Sequence, residues 1–100
     1  MNEYQLQAKT TAIFPQEVSA AYLALGVAGE AGEVAEEVKK CLRRGYSSDG
    51  SDFPQDRREN LFEELGDVLW YVANLAEVLG FKLEDIADYN IAKLKKRHSA

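Results

Sequence analysis

Between positions 55 and 79 the chain carries apolar side chains on most of the circumference that a helix would present, and no other stretch limits the fold as tightly. Projected at about 100° per residue, Leu61, Leu65, Val68, Val72, Leu75 and Leu79 fall on one stripe. Phe62, Gly66, Leu69, Trp70 and Ala73 occupy the far side, so the polar sector is reduced to Glu63, Glu64, Asp67, Tyr71 and Asn74. A helix of that kind is buried on two sides. A chain of 100 residues covers only part of its own surface on folding, so a second copy is the natural source of the missing cover. The expectation is one domain over residues 1–100, an all-α, four-helix antiparallel bundle-like subunit that assembles as a homodimer.

The remaining segments agree with an all-helical reading. Helices are expected at about 2–11, 16–44, 55–79 and 83–97, with Gly45 and Gly80 just past two of the ends. Residues 46–54 are dense in Gly, Ser, Asp and Pro and form the one obvious loop. Asp49-Gly50-Ser51-Asp52 has the start of a calcium loop but lacks its remaining ligands and its closing Glu. With a formal net charge of −5, the chain does not attract a nucleic acid or an anionic membrane, so neither is expected as a partner. Cys41 is alone, which rules out an intramolecular disulfide and a cysteine-based metal site. The first residues lack the basic and apolar regions of a signal peptide, and no apolar run reaches the roughly 20 residues of a membrane span, so the chain reads as cytoplasmic.

Acidic residues fall in unusual places. On the second helix Leu23, Val27, Val34, Val38 and Cys41 make the core stripe. Glu30 projects about 20° from Leu23, Glu37 about 40° and Glu33 about 80°. Glu64 and Asp67 border the stripe of the third helix in the same way. Carboxylates three residues apart repel one another, and burying them is costly unless they are paired or bind a metal. Pairing with Lys39, Lys40 or Arg43 is one solution. The other is that Glu30, Glu33, Glu64 and Asp67 converge from two antiparallel helices on one or two hard cations. Gly26, Gly29 and Gly32 are costly inside a helix, so they mark either a kink or a close approach, and Gly66 fits the second. A di-iron bundle would need Glu-x-x-His, and the only histidine is His98, at the end of a basic final turn. On the last helix Leu83, Ala87 and Leu94 set the stripe, with Asn90 about 20°, Arg97 about 40° and Lys93 about 80° from Leu83.

Gly29-Glu30-Ala31-Gly32-Glu33, then Glu63-Glu64-Leu65-Gly66-Asp67, then Asn90-Ile91-Ala92-Lys93, resembles the MazG-like all-α nucleoside triphosphate pyrophosphohydrolases. Their signature is E-x-x-E, a spacer, E-x-x-D and a closing N-x-x-K. The spacer is somewhat long here, which puts the extra residues in the 46–54 loop. The resemblance implies hydrolysis of an NTP or dNTP to the monophosphate and pyrophosphate, in nucleotide-pool house-cleaning. It implies Mg²⁺, or Mn²⁺ in its place, on Glu30, Glu33, Glu64 and Asp67 as the catalytic set, with Glu33 or Glu30 orienting the water. Tyr71, Asn90, Lys93 and Arg97 would bind substrate. Trp70 reads first as dimer core, with base stacking by Trp70 or Phe53 as the alternative. The resemblance also implies a homodimer or a dimer of dimers. The rival reading is a non-catalytic helical dimer that acts as a protein interaction module.

Overall fold

Glycine ends both long helices. Gly45 and Gly80 take φ of 86° and 81°, the left-handed region that other residues enter only at a cost. At the first end Gly45 N donates to Leu42 O at 3.0 Å and Tyr46 N to Cys41 O at 3.2 Å. At the second, Gly80 N donates to Glu77 O at 3.1 Å and Phe81 N to Ala76 O at 2.8 Å. Both are Schellman motifs, which satisfy the last carbonyls and turn the chain sharply.

The computed structural model describes residues 2–99. Within them lie α1 (Asn2–Thr10), a 3₁₀ turn (Gln16–Val18), α2 (Ser19–Arg43), α3 (Gln55–Val78) and α4 (Leu83–Ser99). No strand occurs among the described residues. The all-α class and the four helices are as expected, and α2 runs unbroken through Gly26, Gly29 and Gly32, so those glycines mark no break.

The main contact is an antiparallel hairpin of α2 on α3. Leu23 and Cys41, both 0% exposed, lie on its inner face, with Val27, Val34 and Val38 half-buried between them. Glu37 is buried in the same seam. Arg57 Nη1 donates to its Oε1 at 2.9 Å, and Asn60 Nδ2 donates to the same oxygen at 3.2 Å. Those bonds hold the Glu37 carboxyl below its ordinary value of 4.5. The connecting loop closes on itself: Ser47 N donates to Asp52 Oδ1 at 2.8 Å, Ser51 N to Asp49 Oδ1 at 3.0 Å, and Arg58 Nη1 to Gly50 O at 3.0 Å. Its acids serve the turn itself.

Two expectations need correction. Helix α1 packs on α3, so the Trp70 and Ala73 side is covered within the chain. Ala8, Ala73 and Leu83 form a small core there, with Tyr4, Trp70 and Val72 against it. Trp70 Nε1 donates to Thr11 Oγ1 at 2.7 Å, which places this ring in the chain's own core. Measured from Leu61, α2 covers the arc of α3 near −80° and α1 the arc near 160°. Along the first half of α3 the arc from about 40° to 100° stays open, so Phe62 is 81% and Leu65 57% exposed, although Leu65 belongs to the expected core stripe.

The second correction concerns α4. It meets α1 and α3 at its beginning and makes no backbone approach to α2, so the single chain is not a closed four-helix bundle. Beyond Leu83 and the half-buried Ala87 its described side chains are exposed. The radius of gyration, 16.2 Å, exceeds the roughly 13 Å of a compact chain of this length.

Because the folded-state pKa of Glu37 is lowered, its stabilising effect is complete above about pH 4.5 and is lost as pH falls through the lowered value. Glu37→Gln should lower the Tm by several degrees at pH 7 and flatten the loss of stability below pH 4.5, as read by thermal unfolding across pH.

Candidate metal and nucleotide site

Two turns along α2 from the charge-compensated Glu37 lies a second meeting of acids, to which no described Lys or Arg is paired. Glu30 from α2 and Glu64 and Asp67 from α3 each offer a carboxylate oxygen, and these oxygens lie within 4.8 Å of one another. Glu30 and Glu64 are half-buried and Asp67 is exposed. Glu64 Oε2 is buried with no hydrogen-bond partner. Burial pushes the Glu64 carboxyl up, followed by the hydrogen bond it shares with Glu30 and by the charges of Glu30, Asp67 and Glu33. The acids thus repel as a group, in contrast to Glu37 in the same seam.

The donor chemistry suits a hard divalent cation, which takes oxygen ligands at about 2.0–2.6 Å and so faces opposite oxygens about 4–5 Å apart. The orphaned Glu64 oxygen supplies a donor whose partner is missing from the protein. Glu33, one turn beyond Glu30, is exposed and outside the three-carboxylate cluster, although its charge reaches Glu64. Three of the four expected ligands are therefore brought together and the fourth stands at the rim.

Tyr71 closes one side. A cleft of about 300 Å³ is lined by Glu30, Asp67, Trp70 and Tyr71. The Tyr71 ring stands edge-on to Trp70 at 5.0 Å and tilted to Tyr22 at 6.3 Å. Its hydroxyl is held protonated, first by a hydrogen bond with Tyr22, then by burial, then by the neighbouring charges of Tyr22, Glu30 and Asp67. The ring fits because residue 26 has no side chain: a Cβ there would collide with the ring atoms of Tyr71. Gly29, Gly32 and Gly66 face open space in the single chain, so a close approach is present at Gly26 alone.

Tyr22 and Tyr4 were not singled out from sequence. Tyr22 projects about 100° from Leu23, on the flank that carries Glu33, so its position was legible. Tyr4 comes from α1, and the Asp67 charge adds to burial in raising its hydroxyl pKa. Its approach depends on tertiary packing. The α4 groups lie elsewhere. Asn90 and Lys93 line a separate concavity of about 500 Å³ with Phe81, Ile86 and Tyr89, and Arg97 is exposed beyond it. Phe53 borders a third concavity, with Phe62 and Leu65, away from the acids.

Residues 18–100 match the MazG nucleotide pyrophosphohydrolase domain. The chain belongs to that family. Among relatives of this MazG chain, the "Gene 37 protein" of Mycobacterium phage L5 is 42% identical over 100 residues, covering 94% of the chain and 84% of the relative. The "Uncharacterized protein YvdC" of Bacillus subtilis (strain 168) is 35% identical over 69 residues, covering 68% of the chain and 65% of the relative. No solved structure matches. The MazG domain supports nucleotide pyrophosphohydrolase activity in general and contains the acidic cluster suited to a divalent metal. Among the described residues, no helix is long and apolar enough to cross a membrane.

Gly26→Ala should displace Tyr71 and cost about 1–3 kcal/mol by overpacking. Thermal unfolding should read this as a lower Tm, and Tyr71→Leu combined with it should recover part of the loss.

Proposed function

We propose that this protein hydrolyses a nucleoside or deoxynucleoside triphosphate between its α and β phosphates, releasing the monophosphate and pyrophosphate as a house-cleaning reaction on the nucleotide pool. The observation that carries this reading is the convergence of Glu30, Glu64 and Asp67 around an orphaned carboxylate oxygen in a MazG domain. These three side chains, joined by Glu33 from the rim, would hold Mg²⁺ or Mn²⁺. When bound, the ion would supply Lewis acidity to the phosphoryl oxygens and offset the charge of the leaving pyrophosphate.

The chain's own groups divide the remaining work. Glu33, exposed and one turn from Glu30, accepts a proton from the attacking water, with Glu30 the alternative base. Tyr71 stays protonated in the cleft and donates to the substrate. Asn90, Lys93 and Arg97 bind sugar and phosphate oxygens as hydrogen-bond donors and cations.

Two copies complete the site. The open arc of α3 around Phe62 and Leu65 is apolar and needs cover, which a homodimer, or a dimer of dimers, supplies. In this reading Asn90, Lys93 and Arg97, which lie apart from the acids of their own chain, meet those of the second copy; the lack of any approach between α4 and α2 supports it.

Pyrophosphate release, followed over common and modified NTPs and dNTPs, should require Mg²⁺ or Mn²⁺ and fall to background in Asp67→Asn and in Lys93→Ala. Equimolar mixing of the two variants should restore part of the activity, because each mixed dimer contains one intact site. Unchanged release in Asp67→Asn with every nucleotide would end the hydrolase reading.

A further inference from the structure

The joint between α3 and α4 is held by a side chain from the far end of the sequence. Gln5 is 6% exposed. Its Nε2 donates to Phe81 O at 2.9 Å, and its Oε1 accepts from Leu83 N at 3.0 Å. The two backbone groups flank Lys82, where the chain leaves the Gly80 turn and enters α4. Leu83 is the first residue of α4, so its N–H has no partner within its own helix. One amide therefore fixes both sides of the joint, since it carries a donor and an acceptor on one planar group.

Helix α1 is itself tied down on α3. Trp70 Nε1 donates to Thr11 Oγ1, Asn74 Nδ2 donates to Ala8 O at 3.4 Å, and Lys9 Nζ lies 3.0 Å from Glu77 Oε1. This strap lies outside residues 18–100, the part matched by the family. Among the described residues, the backbone of α4 approaches α1 and α3 but not α2, and Leu83 and Ala87 at its beginning are its covered side chains. Its direction is then set by its first turn. Lys93 is about 15 Å along the helix from Leu83, so a tilt of about 10° at the joint moves it by about 2–3 Å. A displacement of that size is enough to break a hydrogen bond or ion pair between these side chains and a bound nucleotide.

We propose that Gln5 is a positioning residue: through Phe81 O and Leu83 N it sets the direction of α4, and so the placement of Asn90 and Lys93 toward the nucleotide. The placement toward nucleotide rests on the hydrolase reading above, whereas the clamp on α4 does not. Gln5 touches no substrate. It acts through the backbone of the joint.

The test is Gln5→Met, which keeps the length of the side chain and removes both hydrogen bonds, in the full chain. Lys9→Met is the control, loosening α1 from α3 without touching the joint. Hydrogen exchange, read without nucleotide, should speed up in Gln5→Met at Leu83 and along α4 while α2 and α3 keep wild-type protection. The KM for the best nucleotide should rise about tenfold with kcat nearly unchanged, and Lys9→Met should leave KM alone. Wild-type exchange in α4 of Gln5→Met would overturn the proposal. So would unfolding of that variant or faster exchange throughout α2 and α3, since Gln5 would then be a general stability residue. An equal KM effect in Lys9→Met would overturn it as well. A wild-type chain that releases no pyrophosphate would remove the hydrolase reading, and with it the nucleotide half of the proposal. The exchange measurement would still decide the clamp.

Discussion

The structure depends on how acids are accommodated where α2 meets α3. Two carboxylates sit in that seam about two turns apart, and they are treated differently. Glu37 receives hydrogen bonds from Arg57 and Asn60, so its charge is compensated by the protein. Glu64 receives none at Oε2 and faces Glu30 and Asp67 instead. Burying charge without a counter-charge is among the more expensive arrangements in a protein. The arginine compensates the Glu37 charge, whereas the Glu30, Glu64 and Asp67 cluster has the oxygen donors that suit a divalent cation. The same seam thus contributes stability at one end and a site at the other.

The second constraint is shortage of cover. A 100-residue chain folds here into a hairpin, a strap and a projecting helix, and leaves the central arc of α3 uncovered around Phe62 and Leu65. That uncovered arc is the observation behind the proposed homodimer, as the carboxylate cluster is behind the proposed cation site. Both needs are met together if a second copy covers α3 and brings its α4 to the acids. Dimer formation and site assembly are then one event, and the direction of α4 links them.

Much of this was legible in the sequence, because helical projection needs only spacing. The stripes of α2 and the bordering positions of Glu30, Glu64 and Asp67 follow from a period of about 3.6 residues, and the ends at Gly45 and Gly80 from glycine's access to positive φ. What projection cannot supply is which neighbour covers which arc. Trp70 belongs to the core made with α1, and the expected stripe residue Leu65 is open, because α1 and α2 grip the two flanks of α3. Asn74 lay in the expected polar sector and is buried instead, donating to Ala8 O. The Gln5 clamp joins residues 76 and 78 positions apart, which no local pattern announces. Gly26 is the intermediate case: the close approach was readable, and its partner, Tyr71, was not.

The most direct measurement of the central claim is Mn²⁺ binding by electron paramagnetic resonance, in wild type and in Glu64→Gln at neutral pH. Wild-type protein should remove Mn²⁺ from the free signal stoichiometrically, and Glu64→Gln, correctly folded by circular dichroism, should leave it free. Equal binding by the two proteins would contradict a cation site built on Glu30, Glu64 and Asp67.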